Sequence, residues 1–445
     1  MENFLEQAFG KNDVTTPKMR AAVREWFDLY YGAPRPQEDT ALRPAALIVG
    51  KLCRTVFAEY EARLPADTAP ARKASLAALD RVAKTALQYA MIGGECLLKP
   101  VPQKTGFAFA ALRRDCYVPL ARDAHGQLLA VGTMEILSVE SRRYALLERR
   151  TAGADGLTIE TRLFELNGQT LGRCVPLNTL PACADLVPQL VLPGVPGVGL
   201  AVLRMPLVNC VDGSTDAVSL YAPATGLLHA LARLEAQLNT EFANGASRVF
   251  ASEDLLRPDA AGQRALRDDL FVGLPDDPAN VGVTVYSPAL RVEQYLARKQ
   301  DLLRSCESLI GLKRGILSEV EDTERTATEV SSSSGDFSLT VRDFQLMWDA
   351  AAREAMALCD ALGRVYGLWR GESFDPAADL VVDWGDGVLF DRTRTWNEYT
   401  RMVSDGLLRP ELALAWYFDL PHESEADLAA IRSRYLPDRK GGEPQ

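Results

Sequence analysis

Histidine is nearly missing from this chain, and most routes to metal or acid–base chemistry go with it. The three that occur, His125, His229 and His422, are far apart and have no ligand spacing to one another or to cysteine. They read as structural or solvated side chains, not as ligands or a general base. Cysteine is present but never paired: Cys53, Cys96, Cys116, Cys174, Cys183, Cys210, Cys306 and Cys359 are scattered with no Cys-x-x-Cys pair, and they are expected to be reduced core thiols. No apolar run approaches the roughly 18 residues a membrane span needs. Met1-Glu2-Asn3-Phe4-Leu5-Glu6 lacks the basic-then-apolar order of a secretory leader, so folding in the cytoplasm, with no membrane partner, is expected. An excess of basic residues is absent too: 49 Lys and Arg stand against 60 Asp and Glu, a net charge of −11. That excludes a broad phosphate-neutralising grip on nucleic acid and leaves room only for weak or local contact.

Motifs for nucleotide, calcium and nucleophile chemistry are missing as well. Gly194-Val195-Pro196-Gly197-Val198-Gly199 has the glycines of a nucleotide loop, but it is crowded with proline and has neither a strand before it nor a helix after it. Asp383, Asp386 and Asp391 lie around Gly385 and Gly387 without the ligand spacing of a calcium loop, and read as a turn between strands. No histidine neighbours the serines at 331–334. No cofactor, no metal and no catalytic residue is therefore assigned, and the chain reads as a non-enzyme.

What is present is enough apolar material, 47% hydrophobic against 24% charged, to bury more than one core. Thr16-Pro17 opens a helix striped by Met19, Val23, Trp26 and Tyr30 and ending near Gly32. A second helix is expected over 45–60, and a third runs through Leu76, Leu79, Val82, Ala86 and Ala90 until Gly93-Gly94 stops it. From 95 to 166 the texture changes to short β-prone runs at 96–99, 107–112, 128–137, 144–149 and 158–166, with turns at 123–126, 153–156 and 167–168. This predicts an antiparallel β unit, followed by an irregular proline- and glycine-rich connector over 188–206. A helix follows from Pro223 to Asn244-Gly245, then strand-like runs at 248–251, 270–274 and 281–286, then a helix over 290–312. Strands at 380–384 and 388–390 and helices at 395–405, 410–418 and 423–435 complete the chain, with a disordered tail over 440–445. The fold class is α+β, mostly helical.

The stretch from Thr326 to Tyr366 carries the most information. Thr326-Ala327-Thr328-Glu329 fits a capping box, with the Thr326 hydroxyl and the Glu329 carboxylate answering each other's backbone amides. Ser331, Ser332, Ser333, Ser334 and Gly335 should then loosen or break the helix, because serine side chains compete for backbone hydrogen bonds. The helix recovers with Phe337, Val341, Phe344, Trp348, Ala351, Ala355, Leu358, Leu362 and Val365 on one face. Charge switches just before it. Residues 290–315 hold six basic side chains (Arg291, Arg298, Lys299, Arg304, Lys313, Arg314) against three acidic ones, whereas 316–330 hold five acidic ones against Arg325 alone. A solvated surface is the simplest reading of that switch, and a functional lining is the other.

The order of these pieces resembles one family: the portal proteins of tailed bacteriophages, notably those of long-tailed phages and prophages of Gram-positive bacteria. The resemblance is carried by Trp26-Phe27-Asp28-Leu29-Tyr30-Tyr31-Gly32, by Ala90 to Pro100 with its Gly93-Gly94 junction, by Val283 to Arg291, and above all by Thr326 to Val330 with the serines and the long helix beyond. It covers about residues 26–417. It implies a portal fold with wing, stem, clip and crown, closed into a dodecameric homo-oligomeric ring. In that scheme 1–222 are N-terminal helices and a β-rich wing, 223–244 the first stem helix, 245–289 the clip and 290–312 the second stem helix. Residues 313–337 become the channel loop region, 338–395 the long wing helix and wing strands, and 396–445 a helical crown and tail.

Such a ring would sit at the capsid vertex of a virion after assembly in the host cytoplasm. It would pass double-stranded DNA without reading sequence, and meet the terminase large subunit, the head-to-tail adaptor, the major capsid protein and scaffolding protein. Lys313, Arg314 and Ser331 to Ser334 would belong to the channel loop, Arg298, Lys299 and Arg304 would face DNA from the stem, and Thr326 and Glu329 would cap the loop-to-helix junction. Phe344 and Trp348 are candidates for the ring interface, with the subunit's own core the stronger place for Trp348. Two other classes stay open: another oligomeric virion component such as an adaptor or capsid protein, and a cytoplasmic enzyme with a site built from scattered residues.

Overall fold

The computed structural model describes residues 2–10, 13–32, 43–168, 170–245, 248–252, 271–274, 283–286, 289–319, 327–369, 374–385, 392–418, 420–422 and 424–436. The chain forms two compact units, Met1–Arg54 with Leu64–Leu380, and Thr55–Arg63 with Val381–Gln445. Helices and antiparallel sheets are both present, so the fold is α+β.

Helices α1 (Glu2–Phe9), α2 (Pro17–Tyr31) and α3 (Pro44–Val56) and a short strand β1 (Glu61–Arg63) lead to the 24-residue α4 (Pro70–Gly93). The Thr16 hydroxyl accepts from the Met19 amide at 3.2 Å and Pro17 takes the first helical position, which starts α2 as the sequence predicts. Strands β2 (Glu95–Gln103), β3 (Gly106–Arg113) and β10 (Ala201–Arg204) form one antiparallel sheet in the order β10-β2-β3. A larger sheet runs β4 (Tyr117–Arg122), β5 (Leu128–Val139), β6 (Arg142–Gly153), β7 (Gly156–Asn167) and β8 (Thr170–Val175), with β9 (Gln189–Leu192) also paired to β7. The Asp123 carboxylate accepts from the amides of His125 and Gln127, both at 2.8 Å, and fixes the β4–β5 turn. Helix α1 lies on this sheet, with Leu5 and Ala8 buried among Val118, Leu120, Ala130 and Leu147.

The Gly93-Gly94-Glu95 junction anchors the first unit. Gly94 has φ +88°, and a Cβ there would stand 2.5 Å from the Ala217 carbonyl oxygen. Glu95, fully buried, pairs with the buried guanidinium groups of Arg122 and of Arg114, the latter at 3.6 Å. Arg122 also reaches Asp216 at 3.2 Å, and Arg114 donates to the Thr15 hydroxyl at 2.8 Å. Through these two arginines the Glu95 carboxylate is linked to the segments at Thr15 and Asp216. Burial alone would push the Glu95 carboxyl up, but Arg122 and Arg114 outweigh it and hold the group below the usual glutamate range.

Beyond β10, α5 (Thr225–Asn244), β11 (Arg248–Ser252), β12 (Phe271–Leu274), β13 (Val283–Tyr286), α6 (Val292–Ile310) and the 39-residue α7 (Ala327–Val365) follow. A single helical turn α8 (Pro376–Asp379) closes this unit near Leu380. In the second unit β1 pairs antiparallel with β14 (Val381–Asp383), and Phe57, Tyr60 and Trp384 cluster with centroids 4.9–5.9 Å apart. Helices α9 (Arg392–Ser404), α10 (Pro410–Phe418) and α11 (Glu425–Tyr435) complete it; Ser424 and Asp427 form the capping box of α11.

Several expectations need correction. The helix expected over 45–60 stops at Val56, and 188–206 holds β9 and β10 instead of an irregular connector. Helix α1 and strands β4 and β8 lay outside the predicted elements. All eight cysteines are free, but Cys174 and Cys210 are exposed and Cys116 is half-buried, so the core-thiol reading holds for the other five. Phe344 and Trp348 are 2% and 0% exposed and pack in the subunit's own core; neither faces outward to an interface. The strand expected at 388–390 and the tail at 440–445 lie outside the described residues.

Candidate functional site

Helices α5 and α6 form an antiparallel hairpin, and their ion pairs give its register. The Arg291 guanidinium holds Glu241 with two hydrogen bonds, Nε to Oε1 at 3.0 Å and Nη2 to Oε2 at 2.8 Å; two turns further along, Lys299 Nζ meets Glu235 Oε2 at 3.0 Å. The Arg291 hydrogen bonds hold the Glu241 carboxyl below its usual value. Between the helices, Leu228, Leu231 and Leu238 of α5 and Leu302, Leu303, Cys306 and Ile310 of α6 are buried. The helix expected over 290–312 is observed, and earlier on it Leu296 is 47% exposed.

The hairpin carries a small sheet between its two helices. Strand β11 is central, parallel to β12 (Val249 opposite Phe271) and antiparallel to β13 (Arg248 opposite Tyr286). The three strands fall on the strand-like runs expected at 248–251, 270–274 and 281–286.

At the other end of α6 the chain turns around one side chain. Gly311 adopts the left-handed conformation (φ 75°, ψ 29°), and the Glu307 carbonyl accepts from the amides of Gly311 and Leu312. The Glu307 carboxylate is completely buried, and it too is an acceptor. Oε1 takes the amides of Gly315 (3.1 Å), Leu317 (2.6 Å) and Ser318 (3.0 Å), and Oε2 takes the Ser318 hydroxyl at 2.7 Å. Lys313 to Ile316 make a tight turn closed by the Ile316 amide on the Lys313 carbonyl at 3.2 Å, with Gly315 at φ +92°. Lys51 Nζ holds the Ile316 carbonyl, the Gln300 side-chain oxygen holds the Glu319 amide at 2.8 Å, and the Thr340 hydroxyl of α7 meets the Gly311 carbonyl at 3.2 Å.

The residues singled out by sequence fall in different settings. Arg298 pairs with Asp301 and Lys299 with Glu235, and Arg304 is half-buried, so the cations of α6 are engaged with the helix and its neighbours. Lys313 and Arg314 sit together on the turn, and among the described residues neither has an ion-pair partner.

Ser331 to Ser334 are not in a loop: α7 is helical without a break from Ala327 through them to Val365. Serine costs a helix only several tenths of a kcal/mol per residue relative to alanine, which the packing of the rest of α7 outweighs. The helix begins one residue after Thr326. Thr326 itself and the side chain of Glu329 lie outside the described residues, as do 320–325.

The sequence reading missed Glu307, Gln300, Lys51 and Thr340. Glu307 was detectable in principle, because it falls between Leu303 and Ile310 on the buried stripe of α6, where an acid is out of place.

Among the described residues, no group of three or more His, Cys, Asp or Glu side chains could hold a metal ion, and no helix is long and apolar enough to cross a membrane. No protein-family description matches the chain, and no curated protein matches it. Among solved structures it is similar to a chain in the neck of the native GTA particle computed with C12 symmetry, at 10% identity over 94% of this chain and 99% of that one, with a TM-score of 0.46. It is also similar to a chain in the virion of the native gene transfer agent particle, at 13% identity over 92% of this chain and 99% of that one, with a TM-score of 0.39.

Proposed function

We propose that this chain is the subunit of a phage portal ring, a passive conduit for double-stranded DNA at a capsid vertex. The observation that carries the reading is the α5/α6 hairpin with its three-stranded module between the helices, followed by the 39-residue α7. That is the stem, clip and wing-helix order which the sequence resemblance implies. In this reading the module meets the terminase large subunit and later the head-to-tail adaptor, while other parts of the chain meet capsid and scaffolding proteins.

The charge arrangement supports a conduit. A channel that lets a duplex slide must avoid many simultaneous phosphate contacts, and Arg298 and Lys299 of α6 are already committed to Asp301 and Glu235. What remains is the Lys313–Arg314 turn, a weak contact that ring symmetry would repeat. Large apolar side chains also remain uncovered on the same helices: Leu339 and Leu346 of α7 are 62% and 59% exposed, and Leu296 and Leu309 of α6 about half exposed. A head-to-tail ring interface would bury such surface.

Electron microscopy of the purified protein, with and without scaffolding protein, tests the reading. The expected image is a ring with an open axial hole and a protruding stem. A ring or tube without a stem would favour an adaptor or capsid component. A chain that stays monomeric at every concentration and is absent from particles would overturn the proposal.

A further inference from the structure

We infer that Glu307 is a positioning residue, placed to hold the Lys313–Arg314 turn rigid as a two-cation ledge for phosphodiester oxygens. The role of the ledge rests on the conduit reading, whereas the anchoring by Glu307 does not.

Glu307 is in the wrong place to serve α6 itself. A negative charge in the last turn of a helix opposes the helix dipole, and complete burial strips it of water. Neither cost is offset by a cation: among the described residues no Lys or Arg pairs with this carboxylate. Its compensation is instead the four donors of residues 315–318, each a polar group that an irregular segment would otherwise leave unmet.

Counting the two amides on its backbone carbonyl, one residue accepts six hydrogen bonds from the nine residues that follow α6. The turn they enclose is tied to the end of α6 on both sides. Arg314 is exposed and Lys313 half-buried, at adjacent positions of a turn that Gly315 closes with a left-handed φ. A flexible pair of cations would spend part of each phosphate contact on its own ordering; a pre-ordered pair does not.

The test compares wild type, Glu307→Ala, Glu307→Gln and the double variant Lys313→Ala/Arg314→Ala in the full-length protein. Amide exchange of Gly315, Leu317 and Ser318 should speed up by about tenfold or more in Glu307→Ala, which removes a buried acceptor from each. Glu307→Gln, which keeps the Oε1-type acceptor, should restore much of the protection. Equal exchange in wild type and Glu307→Ala would overturn the anchoring, whatever the oligomeric state.

Retention of a random-sequence duplex by the assembled protein, followed against salt, reads the second half of the inference. Both Glu307→Ala and the double variant should reduce the salt slope, by about 0.9 for each phosphate no longer neutralised. A loosened turn with an unchanged slope would overturn the ledge while leaving the anchor standing. If Glu307→Ala does not fold, Glu307→Gln and the double variant still decide both points: Gln must keep the protection and the slope, and the double variant must lower the slope.

Discussion

Glu95 does its work by ionisation. Its carboxyl is held below the usual range although it is fully buried, and Glu148, facing Arg150 and Lys99, behaves alike. For an acid whose folded pKa is depressed, the stabilisation is complete above the unfolded value of about 4.3 and is lost as the pH falls through the folded value. Asp216, pushed up by burial in spite of Arg122, works with the opposite sign, so its ionisation costs stability as the pH rises through its window. Glu95→Gln should therefore lower the urea midpoint at pH 7 by the equivalent of about 3–5 kcal/mol, the cost of stranding a buried charge partner. The gap to wild type should narrow below about pH 4; a constant gap down to pH 3 would refute the assignment. Gly94→Ala must place a Cβ 2.5 Å from the Ala217 carbonyl at a positive φ, and a loss of about 1–3 kcal/mol or more in thermal unfolding is expected.

The long helix α7 shows what patterning can and cannot reveal about an element. Its buried stripe, Val341 to Leu362, follows from the repeat of apolar residues at three and four, and the structure buries those residues, while Val365 at the end of the predicted face is 41% exposed. Its passage through four serines does not follow, because their weak helix propensity is a local cost and the compensating packing lies further along the helix. Replacing Ser331 to Ser334 by alanine should accordingly slow amide exchange across 327–336, while Ser333→Pro should break the first turns away from Val341. If the alanine variant left exchange unchanged, or the proline were harmless, the segment would not be helical in solution.

The same distinction runs through the chain. Strands with alternating apolar residues and strong turns, such as β5, β6 and β7, were legible within a few residues, as were α2, α4 and α10. Strand β10 was hidden among prolines and glycines because its partner β2 lies a hundred residues earlier. The Glu95 cluster was hidden for the same reason, since Arg122, Asp216 and Thr15 lie far from Glu95 in sequence, whereas Glu307 takes its donors from the next eleven residues and only its place on the buried stripe of α6 marks it.

For the whole molecule, the proposed conduit, an acidic chain with Arg298 and Lys299 already paired, predicts weak, salt-sensitive contact with DNA that depends on few residues. Lys299→Ala should change stability by under about 1 kcal/mol and leave duplex retention unaltered, since Lys299 is engaged with Glu235. Failure of that variant to retain duplex would move the contact surface from the turn to the hairpin. At the far end of the hairpin, Gly245 lies against the Leu290 side chain and Arg291 clasps Glu241, so the chain leaves and rejoins the two helices at nearly one point. A segment whose ends are so close is a replaceable cassette: β11 to β13 can be exchanged, or trimmed to a short connection, without altering how α5 and α6 pair. Under the proposed portal reading, recognition of a new motor or tail would then need no redesign of the helices that carry the module.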